Sequence, residues 1–415
     1  MKSKVLLIIN DFFPNKQGET FLEAESQYYG DFEKVFICPI WAQNIKRDYS
    51  IPLNDNVEVI EKSLPYSFTK KIHILLRLLV FPEFYYEIIN LFKTKRFTRN
   101  NLRTLIDFSK KGISISISLK KQLEEYIRQY DKKDEIIVYA YWMHINSLVA
   151  IDIKRWLSKN SKTRCICRGH RFDIYEYAQP GNYIPYRRYI LKKMDRVFPI
   201  SEDAKTYLLD SYPEYEYKMH ISRLGTKDYG IAEVKKSNQL RIVSCSWMRP
   251  VKRVELIAAA LKYLDFPVCW THYGDGEEME KIKGKIEEIN SENKVCILKG
   301  AVPNCEVLED YKNIPYDVFI NVSASEGVPV SIMEAMSFGL PIIATDVGGT
   351  KEIIDHGANG FLLPKDTDAK MIAETLSKIY LLDQSNYERM RMFSRKKWET
   401  LCDAHITYMD FLSNI

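Results

Sequence analysis

The sequence lacks the patterns that mark metal centres and disulfide frameworks. It contains no Cys-x-x-Cys pair and no cluster of histidines at metal-ligand spacing, so neither a zinc site nor a dithiol pair is indicated. The cysteines lie mostly inside apolar runs and are expected to be buried, reduced thiols. They stand at positions 38, 165, 167, 245, 269, 296, 305 and 402.

Signals for export and membrane insertion are also missing. Residues 1–10 have too short an apolar run and no small residues of the cleavage type, so they predict a first strand rather than a signal peptide. Residues 70–99 are apolar and aromatic with basic flanks, but they are too short and too charged to span a bilayer. They fit either an interfacial helical pair or ordinary core helices with solvated Lys and Arg. We therefore expect a cytoplasmic protein that can lie peripherally on the inner face of the membrane.

Motifs for nucleic-acid binding are absent, although the first half of the chain is basic. Residues 1–225 carry 37 Lys and Arg against 27 Asp and Glu, whereas the remainder carries 23 against 28. No zinc-finger, helix-turn-helix or aromatic RNP-type pattern accompanies this charge, so no nucleic-acid partner is expected. An anionic membrane surface or an anionic lipid-linked substrate explains the basic half better.

Length and composition favour two folded domains. The chain has 415 residues, of which 46% are hydrophobic and 13% aromatic. This is too long for one ordinary core and suits two domains of about 200 residues each. Disorder is not indicated, and there are no internal repeats or low-complexity linkers.

The most informative stretch is residues 318–352. An apolar, β-branched run ends in small polar residues and Glu326, Pro329 stands where a helix would start, and Gly339 stands where it would stop. The pattern predicts strand, loop, helix and strand. Free backbone N–H groups at a helix start after a parallel strand favour an anion, so a phosphate is the expected guest.

Two acids flank this predicted phosphate site. Glu326 falls in the loop, and Glu334 falls about one and a half turns into the helix, so both carboxylates can face one ligand rich in hydroxyl groups. A solvated Glu334 and a helix-capping Glu326 explain the same spacing, because acids are common near helix starts. From the spacing alone, both interpretations stay open.

Residues 326–349 closely resemble the donor-site signature of retaining glycosyltransferases of the GT-B fold, family 4, also called glycosyl transferases group 1. The resemblance implies an α/β protein with two Rossmann-like, doubly wound domains facing across a cleft. It implies an acceptor-side domain at 1–228, a donor-binding domain at 229–384, and C-terminal helices at 385–415 that cross back to the first domain. The resemblance covers most of the chain and is stronger after residue 240.

The resemblance also implies roles for individual residues. Glu334 should hold the ribose hydroxyls and Glu326 the hydroxyls of the donor sugar. Lys252 should bind the diphosphate, with the backbone of Gly327, Val328, Pro329 and Val330. The loop at Val302 should lie beside the base, where backbone atoms would make the contacts.

Two loops of the first half carry further candidates. His170 follows the predicted strand 164–168, and a loop past a strand end lies at the crevice of a doubly wound domain. Relatives carry a similar run whose His meets the donor sugar. Gly18 lies in the loop after the first strand, which in relatives approaches the diphosphate or the acceptor, although such a glycine also fits an ordinary turn.

The chain departs from the family pattern at one position of the phosphate site. The family usually has Arg five residues before the phosphate-binding Lys, and this chain has Trp247 there. Trp247 cannot neutralise charge, so Arg249 or Arg253 is expected to supply the second cation.

By this resemblance the protein is expected to move a sugar from a UDP- or GDP-sugar to a sugar or polyprenyl-linked acceptor, with retention and without a metal or cofactor. Cell-surface polysaccharide or lipid-linked oligosaccharide synthesis is the expected setting. Two alternatives remain: a non-catalytic nucleotide-sugar-binding partner of another transferase, and a nucleotide-sugar 2-epimerase on the same fold. Turnover with and without acceptor discriminates them.

Overall fold

A computed structural model describes residues 4–15, 19–42, 51–60, 74, 76–130, 133–289 and 291–415. The chain divides into two units. The first contains Met1–Ser222 and Tyr408–Ile415, and the second contains Arg223–Thr407. The last eight residues of the chain therefore belong to the first unit.

The first unit is built on a six-stranded sheet whose strand order is β3-β2-β1-β4-β5-β6. All neighbouring strands pair in parallel. The six strands are β1 (Lys4–Asn10), β2 (Lys34–Pro39), β3 (Val57–Val59), β4 (Glu135–Ala140), β5 (Lys162–Gly169) and β6 (Arg196–Pro199). The helices described in this part of the chain are α1 (Thr20–Ser26), α2 (Pro82–Lys93), α3 (Arg99–Ile127), α4 (Ile145–Leu157), α5 (Arg187–Lys193) and α6 (Glu202–Ser211).

The second unit repeats this architecture with the strand order β12-β11-β10-β7-β8-β9, again in parallel throughout. Its strands are β7 (Leu240–Cys245), β8 (Val268–Tyr273), β9 (Lys294–Gly300), β10 (Val318–Asn321), β11 (Ile342–Thr345) and β12 (Gly360–Leu363). The helices that follow are α7 (Val254–Leu261), α8 (Met279–Glu287), α9 (Asn304–Asn313), α10 (Val330–Ser337), α11 (Thr350–Ile353), α12 (Ala369–Leu381), α13 (Gln384–Leu401) and α14 (Ala404–Ser413).

The central strands are apolar along their whole length because helices cover both faces of a parallel sheet. In β1 every residue from Val5 to Asn10 is buried, and in β10 all four residues are buried. Helix starts are marked by side-chain caps in which Thr98, Ser201, Asp368 and Asp383 each accept a hydrogen bond from a backbone N–H three residues on. The predicted first strand corresponds to β1, the predicted strand at 164–168 lies within β5, and the predicted strand, loop, helix and strand of residues 318–352 correspond to β10, α10 and β11.

Each sheet has one point at which the strand order reverses. It lies between β1 and β4 in the first unit and between β7 and β10 in the second. In doubly wound sheets, ligands bind outside the carboxyl ends of the strands at such a point. A ligand-binding site is therefore expected in the loops after these four strands.

The structure bears on two expectations, one about membrane-spanning helices and one about the burial of the cysteines. No described helix is long and apolar enough to cross a bilayer. The expectation of buried thiols holds for Cys38, Cys165, Cys167 and Cys402, whereas Cys245, Cys269 and Cys296 are half-buried and Cys305 is exposed. Cys305 is the second residue of α9, and the sequence pattern did not reveal its exposure.

Candidate functional site

The reversal point of the second sheet brings Lys252 and Glu326 together. Lys252 lies in the loop after β7 and Glu326 in the loop after β10, and Lys252 Nζ donates to Glu326 Oε1 at 2.6 Å. Asn321, the last residue of β10, also donates to this oxygen from Nδ2 at 3.3 Å. Glu326 is buried, so the ammonium and the amide offset the cost of removing its charge from water.

Backbone and arginine contacts hold these two loops in register. Arg253 donates from Nε to Val322 O at 2.7 Å, from Nη2 to Ser323 O at 3.1 Å and from Nη1 to Lys365 O at 2.8 Å. Ala324 N donates to Val251 O at 2.7 Å. The guanidinium of Arg253 therefore connects its own loop to the segments around residues 322–323 and 365. All three of these hydrogen bonds go to backbone carbonyls.

Glycines allow two turns to pack against the site loops. Gly348 has a φ of +55°, and a Cβ at this position would lie 2.1 Å from Glu326 O. Gly274 has a φ of +134°, and a Cβ there would lie 1.9 Å from Ser246 O. Only glycine fits such positions without moving the backbone, so the Gly-Gly turn supports the Glu326 loop and the Gly-Asp-Gly turn supports the loop after β7.

Glu334 lies on α10, which begins at Val330 with Pro329 in the N-cap position. Asn304 Nδ2 donates to Glu334 Oε1 at 3.0 Å. Burial raises the pKa of the Glu334 carboxyl to about 7, and the hydrogen bond from Asn304 only partly opposes this shift. An ionised carboxylate with one protein hydrogen bond has capacity to accept further hydrogen bonds from a ligand.

Trp247, which departs from the family pattern, and Arg249, a candidate for the missing cation, are both on the surface of the same loop. Trp247 is 62% exposed. Arg249 is also exposed, and no side-chain partner is found for it among the described residues. Of the two candidate arginines, Arg249 is the one with an uncommitted guanidinium, and its role stays a prediction.

The reversal point of the first sheet is organised by Glu19. Its carboxylate accepts hydrogen bonds from Asp11 N at 2.9 Å and Trp142 Nε1 at 2.5 Å, and from the backbone of the turn after Asp11. Asp11 itself accepts a bond from Asn146 Nδ2 at 3.1 Å. Burial, and next the charge of Glu19, raise the pKa of Asp11 to about 7.

His170 lies at the carboxyl edge of the same sheet, directly after β5. It is buried, its ring centroid is 4.2 Å from that of Trp142, and its backbone N–H donates to Asp173 Oδ1 at 2.7 Å. Within the described residues neither ring nitrogen has a hydrogen-bond partner, although Nδ1 lies 3.8 Å from Asp173 Oδ2. The imidazole is thus held by aromatic packing with its hydrogen-bonding capacity available.

The structure brings some predicted site residues together and leaves others apart. Lys252, Glu326 and the backbone from Gly327 to Val330 form one continuous edge of the second unit. The loop of Val302 reaches this edge through Asn304, two residues further on. His170 belongs to the first unit, and Gly18 lies outside the described residues. In the described part of the chain, no three His, Cys, Asp or Glu side chains gather closely enough to hold a metal ion.

Sequence reasoning missed the two asparagines that touch the site acids. Asn321 closes the apolar run of β10, so a polar residue at a strand end was a usable signal. Asn304 gave no signal, because it is separated from Glu334 by thirty residues and meets it only through the placement of α9. In the first unit, Glu19 and Trp142 were likewise not singled out.

The second unit is similar to a known family of proteins. Residues 229–397 match the family model described as "Glycosyl transferases group 1". Over 242 residues the chain is 27% identical to the UDP-N-acetylglucosamine--peptide N-acetylglucosaminyltransferase GtfA subunit of Streptococcus gordonii, covering 56% of this chain and 47% of that protein. It is 26% identical over 245 residues to the putative colanic acid biosynthesis glycosyltransferase WcaL of Salmonella typhimurium, covering 55% and 58%. The chain spans about half the length of these curated relatives.

Solved structures match over the whole chain. Anabaena Alr3699/HepE in complex with UDP superposes with a TM-score of 0.63 at 15% identity, covering 100% of this chain and 99% of that one. The lipopolysaccharide outer core galactosyltransferase WaaB superposes with a TM-score of 0.67 at 16% identity, covering 99% and 98%. At these identities the likeness establishes the fold, and the predicted GT-B class is confirmed.

Proposed function

We propose, from the match of residues 229–397 to the family model of glycosyl transferases group 1, that this protein is a glycosyltransferase that moves a sugar from a nucleotide-sugar donor to an acceptor hydroxyl. The observation that carries the proposal is the meeting of Lys252 and Glu326 at the reversal point of the second sheet, directly before the start of α10. A cation, a helix start and flanking carboxylates at one strand edge suit a diphosphate joined to two sugars.

The proposed roles follow from the chemistry of each group. Lys252 and the N–H groups at the start of α10 stabilise the diphosphate as it departs. Glu334 accepts hydrogen bonds from the ribose hydroxyls, and Glu326 accepts them from the donor sugar. We propose His170 separately, as a sugar-contacting residue of the first unit. We propose that these groups suffice without a metal or other cofactor, since a cation and a helix start already face the leaving group.

We propose a retaining reaction in which the diphosphate leaves and the acceptor hydroxyl attacks the same face of the sugar. The bond between the anomeric carbon and the diphosphate oxygen breaks, a bond from the acceptor oxygen forms, and the acceptor proton passes to the leaving phosphate. One matched protein is named for a UDP-sugar and another is known in complex with UDP, which favours a UDP-sugar over a GDP-sugar as the donor. Acceptors of the cell-surface polysaccharide or lipid-linked oligosaccharide class are proposed from the colanic acid and lipopolysaccharide relatives.

Donor turnover with and without acceptor tests this proposal. UDP- and GDP-sugars should release nucleoside diphosphate slowly into water and much faster when a sugar or polyprenyl-linked acceptor is added, and the product should keep the anomeric configuration of the donor. A 2-epimerase would convert its donor without any acceptor. A binding partner of another transferase would retain the donor unchanged, and either of these results would overturn the proposal.

We further propose that the first unit binds the anionic inner face of a membrane. Around α2 the described side chains include an unusual concentration of exposed apolar groups, of which Val80 (77%), Tyr86 (71%) and Phe92 (59%) are the most exposed. Lys93 and Lys95 flank them and are exposed as well. Apolar side chains can insert at the boundary of headgroups and acyl chains, while neighbouring lysines bind the anionic headgroups.

Replacing two of these exposed apolar side chains should strongly weaken vesicle binding. The double variant Tyr86→Ser, Phe92→Ser should lose most co-sedimentation with vesicles rich in phosphatidylglycerol, and wild-type binding should fall as salt rises because the ionic part is screened. Leu381→Ser is the matched control, since Leu381 is 78% exposed in the second unit. Equal binding by the double variant, or equal binding of wild type to neutral vesicles, would remove the membrane proposal.

A further inference from the structure

A polar cavity lies in the first unit between α2, the segment 174–188 and α6. It has a volume of about 300 Å³, at the lower end of the range for small-molecule sites. Glu87 of α2 lines it from one side, Arg187 at the start of α5 from another, and Tyr207 and Tyr212 from the α6 side. None of these residues takes part in the donor site described above.

Arg187 is the unusual group in this cavity. It is only 2% exposed, and its Nη2 donates to Asp173 O at 2.6 Å and Ile174 O at 3.1 Å. Its Nη1 has no hydrogen-bond partner, and no carboxylate forms an ion pair with it, among the residues that the structure describes. A buried guanidinium is rarely left without a negative partner, because an unmade charged hydrogen bond is costly.

The other charged groups of the cavity do not supply that partner. Arg96 forms an ion pair with Glu176, and Arg188 forms one with Glu214. Glu87 Oε1 accepts a hydrogen bond from Tyr183 Oη at 2.9 Å. Burial raises the pKa of Glu87, so its ionised form is disfavoured.

The tyrosines of the α6 side add hydrogen-bond donors. Tyr207 Oη accepts a hydrogen bond from Glu176 N at 3.0 Å. The hydroxyl proton of Tyr207 is not used in this bond. Tyr212 lines the same side, and no hydrogen-bond acceptor for its hydroxyl proton is found in the described part of the chain. An uncommitted guanidinium N–H with two hydroxyl donors is complementary to a phosphate, which presents several acceptor oxygens and negative charge.

We infer that this cavity binds the phosphate group of a small anionic ligand, held by Arg187 Nη1 and by the hydroxyl protons of Tyr207 and Tyr212. The phosphate has two possible sources. It belongs either to a soluble phosphate ester or to the headgroup of a lipid, because α2 contributes Glu87 to the cavity and Tyr86 to the exposed apolar surface. The inference concerns binding in the first unit and does not depend on glycosyl transfer in the second.

Titration of the full-length protein with inorganic phosphate tests the site. Wild type should bind phosphate saturably, with a Kd of about 1 mM or tighter, and chloride at equal ionic strength should not compete. Arg187→Gln keeps a side-chain amide for the carbonyls of Asp173 and Ile174 but removes the charge, and should weaken phosphate binding at least tenfold. Arg155→Gln is the matched control, because Arg155 also contacts a tyrosine, Tyr189, but lies outside the cavity.

Two further variants keep the test decisive if Arg187→Gln does not fold. Tyr207→Phe removes one donor with little change in volume and should weaken phosphate binding severalfold. Glu87→Gln removes a group that can ionise and should not weaken phosphate binding, while its amide oxygen can still accept from Tyr183. No saturable binding by wild type, unchanged affinity in both Tyr207→Phe and a folded Arg187→Gln, or equal weakening in Arg155→Gln would overturn the inference.

Vesicle competition then identifies the source of the phosphate. If millimolar phosphate releases wild type, but not Arg187→Gln, from phosphatidylglycerol vesicles, the headgroup is the ligand. If phosphate and glycerol phosphate bind without changing vesicle binding, the ligand is a soluble phosphate ester. Both outcomes support the cavity as a phosphate site.

Discussion

Replacing Glu334 by Gln should weaken the binding of nucleoside diphosphates by about 1.5–3 kcal/mol, roughly 10- to 150-fold. The amide keeps the shape of the carboxylate and its contact with Asn304 but loses charge-assisted acceptance from two ribose hydroxyls. The same variant should be more stable than wild type at pH 8 without nucleotide, because the half-buried carboxylate no longer has to be ionised. Calorimetric titration and thermal unfolding measure the two effects.

The pH dependence of this effect has a definite sign. The folded pKa of Glu334 is about 7, above its ordinary value of 4.5, so folding favours the protonated form. Its contribution to stability is therefore fully present below about pH 4.5 and is lost as the pH rises through about 7. Nucleotide binding runs the other way, since ribose needs the carboxylate. Wild-type affinity should fall as the pH drops below 7, and the Glu334→Gln variant should lack this part of the dependence.

Glu306→Gln provides the control for Glu334→Gln. Glu306 is an exposed acid in the first turn of α9, close in sequence to Asn304. The Glu306→Gln substitution should change neither the nucleotide affinity nor the pH dependence of that affinity. If Glu334→Gln binds nucleotide as tightly as Glu306→Gln does, Glu334 does not hold the ribose.

Lys252→Met should lower kcat/KM for the donor by about 10²- to 10³-fold, the range found when one preorganised electrostatic group is removed from a transition-state site. Nucleoside diphosphate should bind much more weakly, whereas nucleoside should bind nearly as before. Stability should also fall by about 1–3 kcal/mol, because Glu326 would remain buried with only Asn321 as a partner. Lys262→Met is the matched control, since Lys262 forms an exposed ion pair with Glu288 at 2.7 Å in the same unit.

The two neighbouring arginines should separate binding from stability. Arg249→Ala should reduce diphosphate affinity more than nucleoside affinity, with little change in the unfolding temperature. Arg253→Ala should instead destabilise the second unit, because it removes hydrogen bonds to Val322 O, Ser323 O and Lys365 O. A diphosphate-specific loss in Arg253→Ala alone would show that Arg253, and not Arg249, is the second cation of the phosphate site.

Unchanged kcat/KM in Lys252→Met would show that Lys252 does not belong to the phosphate site.

The sequence revealed the local architecture of the second unit well. Pro329 and Gly339 bracket α10 because a fixed φ suits a helix start and a positive φ suits a helix end. The apolar run of β10 and the position of Glu326 after it follow from the burial of a central parallel strand. These features depend on neighbours in the chain, so a single sequence contains them.

Contacts between distant segments could not be read in this way. Asn304 meets Glu334, and Arg253 meets the carbonyls of Val322 and Lys365, only because several loops pack at one sheet edge. The cavity around Arg187 likewise needs α2, a hundred residues earlier in the chain. No periodicity or spacing marks such pairs, since tertiary packing alone brings them together.

We propose that the nucleotide-sugar donor binds at the carboxyl ends of the strands in the second sheet. Hydrogen–deuterium exchange with and without UDP or GDP tests it most directly, because bound phosphate engages backbone N–H groups at that edge. We expect protection in residues 246–254 and 326–334, and loss of that protection in Glu334→Gln at the same nucleotide concentration. Protection confined to the first unit, or none at saturating concentrations of either nucleotide, would contradict it.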